Sequence, residues 1–268
     1  LRTVDGIHLN WPSTHHRHRK DGTIDIRKRK TYDQQFLEIQ HFFQEAKAYA
    51  SLERRPATSP RDLRMEAMRG IFDGSFRLFV HAQDVRQITE AVHFKRQMGI
   101  ENLVIVGGYD APLVADLLRE NNVPVMLKRL HTLPRFAEDD VDMPYRLPKL
   151  LEDEGVLYCL QNAGDMEHMG TRNLPFYAGT ACAYGLTYEQ AVQSITLNAA
   201  RILGVDAFCG SLETGKDATL FISEGDALDM RTNYLTEAFI QGRSIDLDNR
   251  QRQLYRKYQT KYGAPILD

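Results

Sequence analysis

Between Asp33 and Ala50, apolar side chains recur at Phe36, Ile39, Phe43, Ala46 and Ala50. That spacing gathers them on one face of a helix. The stretch ERRPATSPRD, 53–62, ends the helix with two prolines, which cannot donate a backbone hydrogen bond. A second helix is predicted over LRMEAMRGIF, ending near Gly70 or Gly74. Four short apolar runs follow: RLFVHA (77–82), NLVIVGG (102–108), PVMLKR (124–129) and VLYCLQNAG (156–164). Between the first three lie DVRQITEAVHFKRQMG and DAPLVADLLREN, whose buried faces are Val85, Ile88, Val92 and Val114, Leu117, Leu118. Apolar strands without alternation, separated by helices, predict a parallel sheet covered on both sides.

The last third reads differently. Thr187 and Gln190 form a capping-box signature, and Val192, Ile195, Ala199 and Ile202 continue a helical stripe that Gly204 can end. GSLETGKDATLFIS and LTEAFIQGRSI read as strands joined by glycine turns, and RQRQLYRKYQTKYG as a polar terminal helix. Residues 1–31 are polar and read as an irregular basic segment. The expected organisation is therefore 1–31 irregular, 32–204 the sheet-and-helix body, 205–248 small-sheet strands, and 249–268 a helix and tail.

The chain has 268 residues and is 43% hydrophobic, enough to bury a real core. A formal net charge of -2 and the lack of any apolar run near the ~20 residues of a bilayer span give no reason to expect nucleic-acid or membrane partners. In HHRHRKDGTIDIRKRK the cations Arg17, Arg19, Lys20, Arg27, Lys28, Arg29 and Lys30 suit a solvated loop, with a nucleic-acid arm as the alternative, and His15, His16 and His18 suit the same surface loop, with opportunistic metal binding as the alternative. Cys159, Cys182 and Cys209 are too scattered for a disulfide framework or a zinc pair, so they leave the compartment open. The opening LRTVDG has neither an initiator methionine nor a signal-peptide pattern, and the natural start is expected to lie upstream.

The stretch GLTYEQAVQSITLNAARILGVDAFCGSLETGKDATLFISEGDAL, followed by TEAFIQGRSI, resembles the C-terminal region of the metal-dependent amidohydrolase superfamily, and most of all its imidazolonepropionase-like branch. The matching positions are Thr196, Asn198, Ala200, Leu203 and Gly204, then Gly210 to Glu213 and Gly215 to Ala218. The resemblance weakens back to about Asp62. It implies an α/β fold: the C-terminal half of a TIM-like (β/α)8 barrel followed by strands of a small β-sandwich. The four apolar runs would be barrel strands five to eight. A half barrel exposes unpaired edges, so the missing N-terminal half of a parent chain, or a homo-oligomer partner, is expected to cover them.

Family metal ligands sit at the C-terminal ends of barrel strands: a His-x-His pair from the first, single histidines from the fifth and sixth, an aspartate from the eighth. His81 takes the fifth-strand position, with a core or capping histidine as the alternative. At the sixth, Gly107 or Gly108 stands where histidine is expected. No His-x-His lies on an apolar strand. Asp165 is the candidate both for metal ligand and for catalytic proton acceptor, with an ordinary turn as the alternative. His131 and His168 are replacement ligands or structural residues, and Arg172 and Asn173 line the substrate pocket or start a helix. The resemblance implies a small-molecule substrate and a divalent metal, zinc first, with iron or manganese as alternatives. The reaction would be hydrolysis of a non-peptide carbon–nitrogen bond in a cyclic or linear amide by metal-activated water. The alternative is a noncatalytic homologue with a degraded metal site, acting as a binding or assembly module.

Overall fold

The computed structural model describes residues 5–20, 23–52, 61–162 and 167–263. Its elements in chain order are β1 (Gly6–Asn10), β2 (His15–Lys20), β3 (Thr23–Lys28), α1 (Tyr32–Ala50), α2 (Leu63–Phe72), β4 (Arg77–Ala82), α3 (Val85–Met98), β5 (Leu103–Gly107), α4 (Ala115–Glu120), β6 (Val125–Leu127), α5 (Met143–Asp153), β7 (Tyr158–Leu160), α6 (Leu174–Ala183), α7 (Tyr188–Ile195), α8 (Leu197–Leu203), β8 (Leu220–Ser223), β9 (Leu235–Ile240), β10 (Arg243–Ser244) and α9 (Arg250–Tyr262). Short 3-10 turns span Ala111–Val114 and Glu167–Asn173. Among the described residues no helix is long and apolar enough to cross a membrane.

Five strands make one parallel sheet in the order β1-β4-β5-β6-β7, while β10, β9 and β8 form a small antiparallel sheet. This is the α/β architecture expected for the C-terminal part of a TIM-like barrel with a small sheet beside it, with one strand more than the four apolar runs. The extra strand corrects the reading of residues 1–31 as irregular: β1 lies there, and β2 and β3 pair as an antiparallel hairpin. In β1 only Ile7 and Leu9 are large and apolar, so its two-residue alternation is faint beside the continuous runs of its neighbours.

Alternation sorts the sheet's side chains onto two faces. Leu78, Val80 and Ala82, with Leu103, Ile105, Val125, Leu127, Tyr158 and Leu160, join the large core built with the helices. Phe79, Val104, Val106, Cys159 and the partly buried Met126 face the other way and pack on Ile202, Ala199 and Leu203. Helix α8 thus covers the inner face. Arg77, at the start of β4, anchors it: its Nε donates to the Ile202 carbonyl (2.6 Å) while its guanidinium pairs with Asp5 (3.0 Å).

The stripe over 188–203 is two helices. Thr196 breaks it with φ −126° and ψ −90°, and its hydroxyl donates to the Val192 carbonyl. Helices α5 and α6 have weak sequence signals. The first carries Pro144 and Pro148, and the second is apolar on nearly every side.

Candidate functional site

Register places one inward-facing residue per strand in a row across the sheet: Asn10, His81, Val106, Met126 and Cys159. One layer below, His8 pairs with Phe79. The His8 ring stacks on that phenyl at 4.8 Å with the planes 15° apart, which fixes its orientation. From there its Nδ1 comes within 2.9 Å of Nε2 of His81. Two ring nitrogens bound to one zinc at about 2.0–2.1 Å in tetrahedral geometry would lie about 3.4 Å apart. At 2.9 Å the two nitrogens stand at hydrogen-bond distance, about 0.5 Å closer than that, so the rings share a hydrogen bond here and would fill two positions of a coordination sphere after moving apart by about half an ångström. Metal binding needs the neutral imidazole. Burial, then the neighbouring His8 and Lys128, hold His81 below the usual histidine value of 6.5 and favour that form.

His8 is the residue that sequence reasoning missed. Its signal was the Ile7-His8-Leu9-Asn10 alternation, hidden in a polar segment. Among the described residues, no group of three or more His, Cys, Asp or Glu side chains is placed to hold a metal.

The sixth-strand expectation is refined by backbone geometry. Gly107 has φ +117° and Gly108 +64°. A Cβ at Gly107 would lie 2.3 Å from Gln83 Nε2 and 2.8 Å from the Ala82 carbonyl oxygen. A histidine at Gly107 is excluded by conformation and space in this backbone. The position beside His81 on that strand is Val106, which is buried and offers no donor atom.

The other candidates are dispersed. His131 lies 2.7 Å from the Thr180 hydroxyl through Nε2, with the Tyr177 ring edge-on at 4.7 Å. Burial, then Arg129, lower its pKa. It serves the packing of α6 and has no described contact with His8 or His81. Asp165 lies outside the described residues. His168 falls in the 3-10 turn Glu167–Asn173. Arg172 is exposed on that turn, and Asn173 occupies the N-cap position of α6 without a side-chain capping bond. Cys159 closes the floor of the site; burial pushes its thiol up to about 12, leaving it protonated and inert.

Two networks hold the strand ends. After β4 and β5, Arg135 pairs with Asp84 (3.5 Å) and Asp110 (3.9 Å), and Asp84 also caps α3 through a complete capping box. After β1, the backbone N–H of Trp11 donates to the His81 carbonyl at 3.2 Å. Gln87 Nε2 donates to the Trp11 carbonyl at 3.0 Å, and the indole N–H of Trp11 donates to Glu90 at 3.1 Å. The position of His8 against His81 therefore depends on Trp11.

A model of the amidohydrolase family matches residues 80–246. Among solved structures, an amidohydrolase from Thermotoga maritima MSB8 superposes with a TM-score of 0.72 at 23% identity, over 92% of this chain and 63% of that one. A prolidase complexed with N-methylphosphonate-L-proline gives 0.52 at 16%, over 71% and 51% of the two chains. A Xaa-Pro dipeptidase with methionine bound in its active site gives 0.50 at 18%, over 68% and 47%. At these identities the likeness is one of fold, and the chain spans less than two thirds of each structure's length. No curated protein matches the sequence.

Proposed function

The chain belongs to the amidohydrolase family, and from that premise we propose that it serves hydrolysis of a non-peptide carbon–nitrogen bond in a cyclic or linear amide, as in the imidazolonepropionase-like branch that its C-terminal motifs resemble. The observation that carries this reading is the convergence of His8 and His81 at 2.9 Å on the inner face of the parallel sheet. These two would hold a divalent metal, zinc first, with iron or manganese as alternatives. When bound, such an ion polarises a carbonyl oxygen and lowers the pKa of water toward ~7. Phe79 sets the His8 ring, and burial keeps His81 neutral. In this reading Asp165 takes the proton from water and returns it to the leaving nitrogen, while Arg172 and Asn173 stand at the pocket mouth.

The test is metal content by mass spectrometry, on protein purified without chelators or added metal. We expect near-stoichiometric metal in the chain as it stands, and a loss of at least about tenfold in His81→Ala and in His8→Ala, since even outer-shell changes weaken binding about 10- to 100-fold. Unchanged metal in both variants would remove the basis of the proposal.

A second reading, the noncatalytic homologue, is favoured by Val106, whose apolar side chain stands beside His81. Catalytic zinc usually keeps about three protein ligands. Absence of metal together with absence of amide hydrolysis would select it.

We further propose that the outer edge of β1 is covered by another strand, from the N-terminal half of a longer parent chain or from a second copy. Among the described residues β1 pairs only with β4. A groove of about 650 Å³ runs along it, walled by Ile39, Phe42 and Phe43. Exposed edges of this kind pair with other chains. Size-exclusion chromatography with mass measurement is expected to show self-association; a monodisperse monomer would contradict it.

A further inference from the structure

Gln87, in the first turn of α3, is a polar side chain left only 7% exposed, and its amide bonds to backbone groups at both ends. Its Oε1 accepts from the N–H groups of Gln83 (3.0 Å) and Asp84 (3.4 Å), the residues that follow β4. Its Nε2 donates to the carbonyls of Trp11 (3.0 Å) and Pro12 (3.4 Å), the residues that follow β1. A backbone N–H only donates and a carbonyl only accepts, so these partners fix which end of the amide is which. One planar group ties the end of β1 to the end of β4.

The ladder itself cannot extend that far. Pairing of β1 with β4 runs from Gly6 to Asn10 and closes with the Trp11 N–H on the His81 carbonyl, and Pro12 has no N–H to donate. Trp11 and Pro12 are buried, so their carbonyls need a donor from elsewhere. A capping box asks only for an acceptor at the position of Gln87, and glutamate serves it as well as glutamine. The bonds toward β1 are what glutamine adds.

Those bonds bear on the two histidines. His8 stands opposite Phe79 and His81 opposite Asn10, so the rings meet on a diagonal and their spacing changes when β1 slides along β4. Only about half an ångström separates their hydrogen-bonded spacing from that of shared metal coordination. A slide that small is enough to part them.

We propose that Gln87 is a positioning residue: by tying the end of β1 to the end of β4 it sets the spacing of His8 and His81. The assignment rests on the hydrogen-bond geometry, and on the metal-site reading only for the use to which that spacing is put.

The test is the nitrogen–nitrogen scalar coupling across the His8–His81 hydrogen bond. It is read by NMR in the isotope-labelled, full 268-residue chain with EDTA present, at about pH 8, where glutamate is ionised and histidine neutral. The coupling is expected in the unaltered chain and is expected to be lost in Gln87→Glu, which keeps the acceptor for Gln83 and Asp84 but turns a charge toward the Trp11 and Pro12 carbonyls. Gln87→Met, neutral and similar in size, is expected to lose the coupling as well. The two variants differ in the cap: hydrogen-exchange protection of the Gln83 and Asp84 amides should survive in Gln87→Glu and fall in Gln87→Met. A merely structural role would lower Tm but leave the coupling intact in the molecules that stay folded. No coupling in the unaltered chain, or an unchanged coupling in either folded variant, would overturn the proposal. Loss of the coupling in the variants of a chain that takes up no zinc would leave this assignment standing and remove the metal reading. Zinc uptake by a chain whose coupling survives both substitutions would do the reverse.

Discussion

Replacing Glu90 by alanine is expected to destabilise the fold by about 2 to 5 kcal/mol, the cost of leaving two buried donors without a partner. Glu90 accepts from the Tyr32 hydroxyl at 2.5 Å, from the Trp11 indole at 3.1 Å and from Arg86 Nε at 2.7 Å. Trp11 and Tyr32 are both buried, so neither recovers water when the carboxylate goes. Arg86 is exposed and does, so Arg86→Ala is expected to cost less than about 1 kcal/mol. For a chain of this size the Glu90→Ala loss corresponds to a Tm lower by roughly 5 to 15 °C, measurable by calorimetry.

The same network has a pH signature at both ends. Burial works to raise the Glu90 pKa, but hydrogen bonds from Tyr32, Arg86 and Trp11 outweigh it and leave it below 4.5. The unfolded chain then binds more protons in that window, so the stabilisation is complete above 4.5 and is lost as pH falls through the lower folded value. Burial, then the bond to Glu90, pushes the Tyr32 hydroxyl up to about 12 from 10.0. Its contribution is complete below 10.0 and is lost as pH rises through about 12. The acid arm should be lost in Glu90→Ala, while the alkaline arm should shrink but persist because burial of Tyr32 remains; a variant that keeps the acid arm would show that other groups are responsible for it. Because Trp11 also bonds the His81 carbonyl, Glu90→Ala should loosen β1, and with it the position of His8.

Strands β4 to β7 were legible because burial on both faces leaves uninterrupted apolar runs, a signal that needs no knowledge of the neighbours. Strand β1 was not. Its inner face carries His8 and Asn10, both exposed, so two of its five residues are polar for reasons that only the assembled sheet supplies. His81 could be read as a candidate from its strand end, but the atom it meets belongs to a residue 73 positions away. The hairpin of β2 and β3 had a local signal in Asp21-Gly22, a pair that favours two-residue hairpin turns, outvoted by the density of charge around it. His131 illustrates the reverse. It stands beyond a strand end as a ligand would, yet its partners Thr180 and Tyr177 come from a helix that weak periodicity concealed.

The geometry at the sixth-strand position leads to the other large effect. Val106→His is expected to raise zinc affinity at least about 100-fold, because an outer-shell partner alone is worth about 10- to 100-fold and this change adds a direct ligand. Val106 faces inward in register with His81 on the adjacent strand, about 4.8 Å away in the sheet. A third imidazole there would complete the usual three-ligand set. The substitution also buries a polar ring in the small inner cluster, so the metal-free variant is expected to lose about 1 to 3 kcal/mol. Zinc should recover that loss in proportion to its binding, so Tm with and without zinc separates the two effects. Gly107→His, the substitution that sequence alignment would suggest, should give no such gain. Its backbone sits at φ +117°, and its Cβ would meet Gln83 Nε2 and the Ala82 carbonyl oxygen, which is already bonded to the Gly108 N–H. That variant is expected to lose stability with or without zinc. Zinc binding by Gly107→His as tight as by Val106→His would mean that the row Asn10, His81, Val106 does not define the mouth of the site.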